Sequence, residues 1–184
     1  MNKFSLIIII VLFLSCKSTP SINKQKIENP TKIVYDTLVF NENMKGQNLK
    51  VKFESSQSEL NYYKPFIKSK KINKLKTLKE EYSKTEIKYL GEMKDLNSKD
   101  SYHVIVDFTI IGIGSMESPR GKSNVIFINE NQDKIIIYNL PMPEDLPKYI
   151  EKNVLFFNFE KTKVGISILG GLPAELCLPE IGCN

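Results

Sequence analysis

The sequence predicts an α+β fold, a mainly antiparallel β-sheet of consecutive hairpins covered by one or two helices. Three observations carry this. Apolar and polar residues alternate with period two in short runs such as LKVKFES (49–55), where Leu49, Val51 and Phe53 share one face and Lys50, Lys52 and Glu54 the other. Turn residues separate most of these runs by a few positions, which joins neighbours as hairpins. One lysine-rich stretch changes to a spacing of three and four, the period of a helix that lays an apolar stripe on a sheet.

Taken in order, KIVYDTLVF (32–40) and residues 49–55 flank the turn-forming NENMKGQN and predict an antiparallel hairpin. In SKKINKLKTLKEEYS (69–83), Ile72, Leu75, Leu78 and Tyr82 form a stripe, which predicts an amphipathic helix with Ser69 as its N-cap. Pro65 argues against a helix running through from Leu60. TEIKYLGEM (85–93) and SYHVIVDFTIIG (101–112) read as strands, and SNVIFINENQDKIIIYNL (123–140) as two strands around 129–133. A short helix is expected over 145–152, with Pro147 tolerated in its first turn. NVLFFNFE and KVGISIL (153–160 and 163–169) complete the fold as a last hairpin around Lys161 and Thr162.

Ahead of these elements stands MNKFSLIIIIVLFLSCKSTP. Lys3 precedes an apolar run over 4–14 broken only by Ser5, and polar residues follow at once, which is the anatomy of an export leader. Eleven residues of helix reach roughly 16 Å, about half of a ~30 Å hydrocarbon core, so the run is too short to span as an anchor. Its end, Phe13-Leu14-Ser15-Cys16, resembles a bacterial lipobox of the relaxed Bacteroidota type, with Phe13 where leucine is usual. The resemblance covers about the first twenty residues. It implies that 1–15 is a signal peptide, that Cys16 becomes the acylated (palmitate-type) first residue of a lipoprotein, and that 17–31 is a flexible tether. It also implies an outer-membrane location facing the periplasm, because KSTP after Cys16 lacks the acidic residues that in this family signal surface export.

Removing 1–15 leaves 169 of the 184 residues, enough for a single α+β domain over 32–184. Loss of Lys3 lowers the formal charge from +5 to +4, only mildly basic. With Cys16 consumed by lipid, Cys177 and Cys183 in CLPEIGCN remain as an even pair, and a disulfide is the economical reading in an oxidising compartment. A ring of that size contributes roughly 2 kcal/mol. Free thiols are the alternative. The five-residue spacing does not match a zinc knuckle or a thiol-redox motif, and no metal is implied.

The segment GIGSMESPRGKS (112–123) ends like a phosphate loop, but the motif needs glycine where Met116 stands. That mismatch and the export leader argue against nucleotides and nucleic acid, and no cofactor is implied. The same loop holds the only arginine, Arg120, beside Lys122, a pair suited to a carboxylate or phosphate. His103 is the only histidine, so sites built from several imidazoles are excluded. It shares a strand face with Asp107, four positions or about 13 Å away, too far for a direct hydrogen bond, and a surface or edge-strand role is expected.

Residues 64–94 hold ten lysines against four glutamates, an excess of +6 that exceeds the mature total. Lys70, Lys71 and Lys74 lead this stretch as candidate contacts to an anionic ligand. The functional reading is a lipid-anchored, non-enzymatic envelope module, attached to the membrane through Cys16. Its partner would be an anionic lipid, a polysaccharide or a protein. An inhibitor or immunity-type periplasmic lipoprotein is the alternative, and a small metal-independent hydrolase is the third reading. No catalytic residue is nominated.

Overall fold

A computed structural model describes residues 31–36, 57–96, 98–114, 118–159, 162–173, 176–178 and 182–183. In chain order the elements are β1 (Thr31–Asp36), α1 (Gln57–Ser69), β2 (Leu75–Lys79), β3 (Ser83–Lys94), β4 (Ser101–Ile111), β5 (Arg120–Asn129), β6 (Lys134–Leu140), β7 (Tyr149–Glu151), β8 (Val154–Asn158), β9 (Thr162–Ser167), β10 (Cys177–Leu178) and β11 (Gly182–Cys183). The class is α+β, mainly antiparallel, as the period-two runs predict. The central sheet has the order β2-β3-β4-β5-β6 and is antiparallel throughout. A second sheet has the order β1-β9-β8-β7, in which β1 runs parallel to β9.

Alternation along β4 builds two apolar layers at once. Val104 and Val106 point toward the second sheet and meet Leu155, Phe157, Val164 and Ile166 in one core. Ile105 points the other way and joins Ile87, Ile126, Ile128 and Ile135 beneath Leu60, Tyr63, Phe66 and Ile67 of α1. The layers are therefore helix, sheet, sheet. Phe127 anchors the inter-sheet core, with its ring edge-on to Tyr138 at 5.7 Å and to Tyr102 at 6.5 Å.

Several local devices agree with the sequence. The β5–β6 connection falls at 129–133, where Asn129 Oδ1 accepts from the backbone N–H groups of Asn131 and Gln132 and Asp133 takes φ 45°. The hairpin expected over 153–169 is β8–β9.

Other expectations are corrected. Residues 69–83 are not a helix. The helix lies earlier, runs through Pro65, and ends where Lys70 adopts φ 50°. Leu60, Tyr63, Phe66 and Ile67 are its buried stripe, while Pro65 and Asn61 lie on the exposed side, where the donor that proline lacks costs least. Ser69 is at the C-terminal end rather than the N-cap, its hydroxyl donating to the Phe66 carbonyl at 2.7 Å. Ile72, Leu75 and Tyr82, expected in a buried stripe, are 59%, 55% and 52% exposed. Pairing of β2 with β3 overrides the local period. The helix expected over 145–152 is a 3₁₀ turn at Pro143–Asp145 followed by β7. Lys152 and Asn153, both at positive φ, then form the two-residue turn into β8. The strand expected over 49–55 lies outside the described residues, as do the leader, Cys16 and residues 17–30 of the tether; Thr31, the last tether residue, instead begins β1.

Candidate functional site

The α1–β2 corner is shaped by backbone hydrogen bonds. Lys70 N–H donates to the Ile67 carbonyl at 3.0 Å and Ile72 N–H to the Lys70 carbonyl at 3.0 Å. Asn73, at φ 58°, donates its N–H to the Tyr89 carbonyl at 2.8 Å, which pins the turn to β3. The chain then enters β2, the edge strand of the central sheet.

Between the end of α1 and β2–β3 lies a pocket of 260 Å³ lined by Pro65, Phe66, Ser69, Lys71, Lys74, Leu75, Lys76 and Tyr89. Its walls are two aromatic rings, a proline and a leucine; its rim is lysine. Lys76 Nζ sits 4.9 Å from the centre of the Phe66 ring, a cation–π contact. From residue 60 to 79 the chain carries seven lysines and no acidic residue, so no carboxylate within this segment offsets the rim. Lysines at the end of α1 also complement the negative end of its dipole.

A β-bulge follows Tyr89. Ile105 pairs with Tyr89 and Val104 with Gly91, so Leu90 is the extra residue. Gly91 takes φ 126°, a region that side chains disfavour. Tyr89 keeps the alternation of Ile87 and faces α1, Leu90 enters the inter-sheet core, and the extra residue turns Met93 into that core as well. The Tyr89 hydroxyl meets His103 Nδ1 at 3.0 Å, and His103 Nε2 stands 3.4 Å from Glu130. Burial first, then Glu92 and Glu130, push the phenol up to about 12, so Tyr89 is neutral and its ring is held by the pair. His103 is therefore not an edge residue: β4 is the middle strand, and the imidazole is three-sided by Tyr89, Glu92 and Glu130.

Asp107 lies elsewhere on the same face, 3% exposed beneath α1. Tyr63 donates its hydroxyl to Oδ2 at 2.5 Å, and Asn124 Nδ2 donates to Oδ1 at 2.6 Å. Burial raises the Asp107 carboxyl above the usual range, against the lowering effects of Tyr63, Asn124 and Lys122. This group ties helix to sheet and is closed to ligands.

Of the sequence-nominated residues, Lys71 and Lys74 line the pocket and Lys70 opens the turn before them. Arg120 and Lys122 are not with them. They lie at the start of β5, level with Ile111 and Thr109 of β4. Tyr89 is level with Ile105, so Arg120 is six strand positions away, about 20 Å. The open cleft beside Ile111 and Thr109 contains Glu80 and Glu81, the wrong signs for an anion. Pro65, Phe66, Ser69, Leu75, Lys76 and Tyr89 line the pocket without being nominated by the sequence; the apolar spacing 60, 63, 66, 67 is the signal that places Phe66 on a helix once Pro65 is not read as a break.

At the C-terminus, β10 pairs antiparallel with β11 and Cys177 stands directly opposite Cys183 in register. Among the described residues no group of three His, Cys, Asp or Glu could hold a metal ion. No protein-family model, curated protein or solved structure matches the chain. The fold and corner define it only as a helix-covered, two-sheet α+β protein with a lysine-rimmed apolar pocket.

Proposed function

We propose that the chain is a lipid-anchored cell-envelope protein that works by binding, holding an anionic ligand at the α1–β2 corner. The observation that carries the reading is the pocket of 260 Å³ whose apolar walls end in a rim of Lys71, Lys74 and Lys76. Lys70 extends the rim along the turn. Binding of this kind weakens steeply as salt rises, because the lysines are exposed and screened within a Debye length of about 10 Å at 0.1 M. Arg120 and Lys122 play no part in it.

The test is affinity capture from envelope extracts with the intact acylated protein and with Lys70, Lys71, Lys74 and Lys76 all changed to Gln. The captured species should be lost from the variant; an unchanged set overturns the reading. Placement at the outer membrane, facing the periplasm, rests on the leader and on Cys16 followed by KSTP. Mass spectrometry of the mature N-terminus should find acylated Cys16.

The C-terminal pair is proposed as a disulfide, supported by the register that sets Cys177 opposite Cys183. Denatured mature protein should show no free thiol before reduction and two afterwards, since Cys16 carries its sulfur as a thioether. Two free thiols without reductant would refute the bridge.

A further inference from the structure

We infer that the ligand of this corner is an anionic lipid leaflet, on which the folded part docks through Ile72 and Leu75; the inference rests on the anionic-ligand reading above. Ile72 is 59% exposed and Leu75 55%, and each is flanked by lysines: Lys70 and Lys71 before Ile72, Lys74 and Lys76 on either side of Leu75. Single exposed apolar residues are ordinary on protein surfaces. Two of them inside a segment with seven lysines and no carboxylate, one of them, Leu75, lining the apolar pocket, are not.

Chemistry separates the candidate ligands. An acidic polymer offers charge to the rim but nothing to Ile72, Leu75 or the rings of Phe66 and Tyr89. A bilayer of anionic lipid offers both, with phosphates at the level of the lysines and acyl chains just below. At about 30 Å³ for a water-sized group, 260 Å³ holds roughly nine such groups, the end of one acyl chain. The edge position of β2 leaves this corner open to a flat surface.

The chain contains no tryptophan, so Ile72→Trp introduces a unique fluorophore at an exposed position. The full acylated variant is reconstituted into vesicles of phosphatidylcholine, alone or mixed with phosphatidylglycerol, with Leu75→Trp as a second variant. The indole emission should shift to the blue and be quenched by brominated acyl chains only in the phosphatidylglycerol vesicles, and high salt should reverse both changes. Each Lys→Gln change at 70, 71, 74 or 76 should lower the docked-to-undocked ratio about fivefold. Identical emission in the two vesicle types, in both variants, overturns the inference. If a soluble polyanion nevertheless shields these lysines from amine labelling, the lipid inference falls and the anionic-ligand reading stands. If neither lipid nor polyanion has an effect, both fall.

Discussion

Phe127→Ala is expected to destabilise the fold by about 4 kcal/mol, lowering the melting temperature by roughly 12 °C, measured by thermal and urea denaturation. Phe127 is 1% exposed and lies where the central sheet meets the second. Truncation removes its transfer energy, leaves a cavity that two paired strands on either side cannot collapse to fill, and abolishes edge-on contacts with both Tyr102 and Tyr138. Phe127→Leu should cost less than half as much, because most of the volume is kept. Equal losses for the two variants would mean that ring geometry rather than filled volume sets the stability of this core. Phe127 faces away from α1, so binding at the lysine-rimmed pocket should survive in the folded fraction.

Tyr63→Phe should cost about 2 to 3 kcal/mol at pH values where Asp107 is ionised, because it withdraws a charge-assisted hydrogen bond from a carboxylate sealed beneath α1. The pH dependence follows from the direction of the Asp107 shift. Its carboxyl is raised in the folded state by burial, above the unfolded value of about 3.9, so folding takes up a proton between the two values. Stability from this group is fully present below the unfolded value, falls as pH rises through the folded value, and is level above it. Asp107→Asn should remove that slope. The Asn124 amide can turn over to meet the introduced group, and its Oδ1, which has no partner now, would then accept a hydrogen bond. In the Asp107→Asn background Tyr63→Phe should cost roughly 1 kcal/mol, the value for a neutral pair. A double-mutant cycle measured from pH 4 to 8 checks both claims. A Tyr63 penalty that is the same in the two backgrounds would show that the charge is irrelevant to the tie between helix and sheet.

The parts of the fold legible in the sequence are those where local period and tertiary environment agree. In β4, Val104 and Val106 serve one core and Ile105 the other, so SYHVIVDFTII reads as a doubly buried strand; the turn at 129–133 follows from side-chain chemistry at Asn129. The reading fails where local period and tertiary pairing conflict. The apolar residues of KINKLKTLK, Ile72, Leu75 and Leu78, repeat every three positions, a helix-like spacing without alternation, and only the hydrogen bonds offered by β3 make the segment a strand. Pro65 concealed α1 because the cost of proline depends on whether the carbonyl four residues earlier faces water, which is a tertiary fact. At Leu90 the inserted residue reverses the alternation, which blurred β3. The parallel pairing of Thr31 with Thr162 joins residues far apart in the chain, and nothing local encodes it.

The candidate site was legible as charge and not as shape. Lys70, Lys71 and Lys74 stand out by charge, but their spacing predicts a helix face where the structure has a turn and the start of β2. Phe66 and Tyr89 come from different elements and meet only through packing, so a wall made of both carries no sequence signature. Arg120 and Lys122 drew attention as a cationic pair, yet the register of β4 with β5 sets them at the far end of the face.

The parallel seam between β1 and β9 also has a mechanical meaning. Its six matched pairs, from Thr31–Thr162 to Asp36–Ser167, begin at Thr31, the first described residue. Tension drawn along that strand loads all of them together in shear, whereas tension drawn across it peels them singly. Strain arriving from the N-terminal side is borne first by the sheet on the opposite flank from α1, and the lysine-rimmed corner is left undeformed while that seam holds.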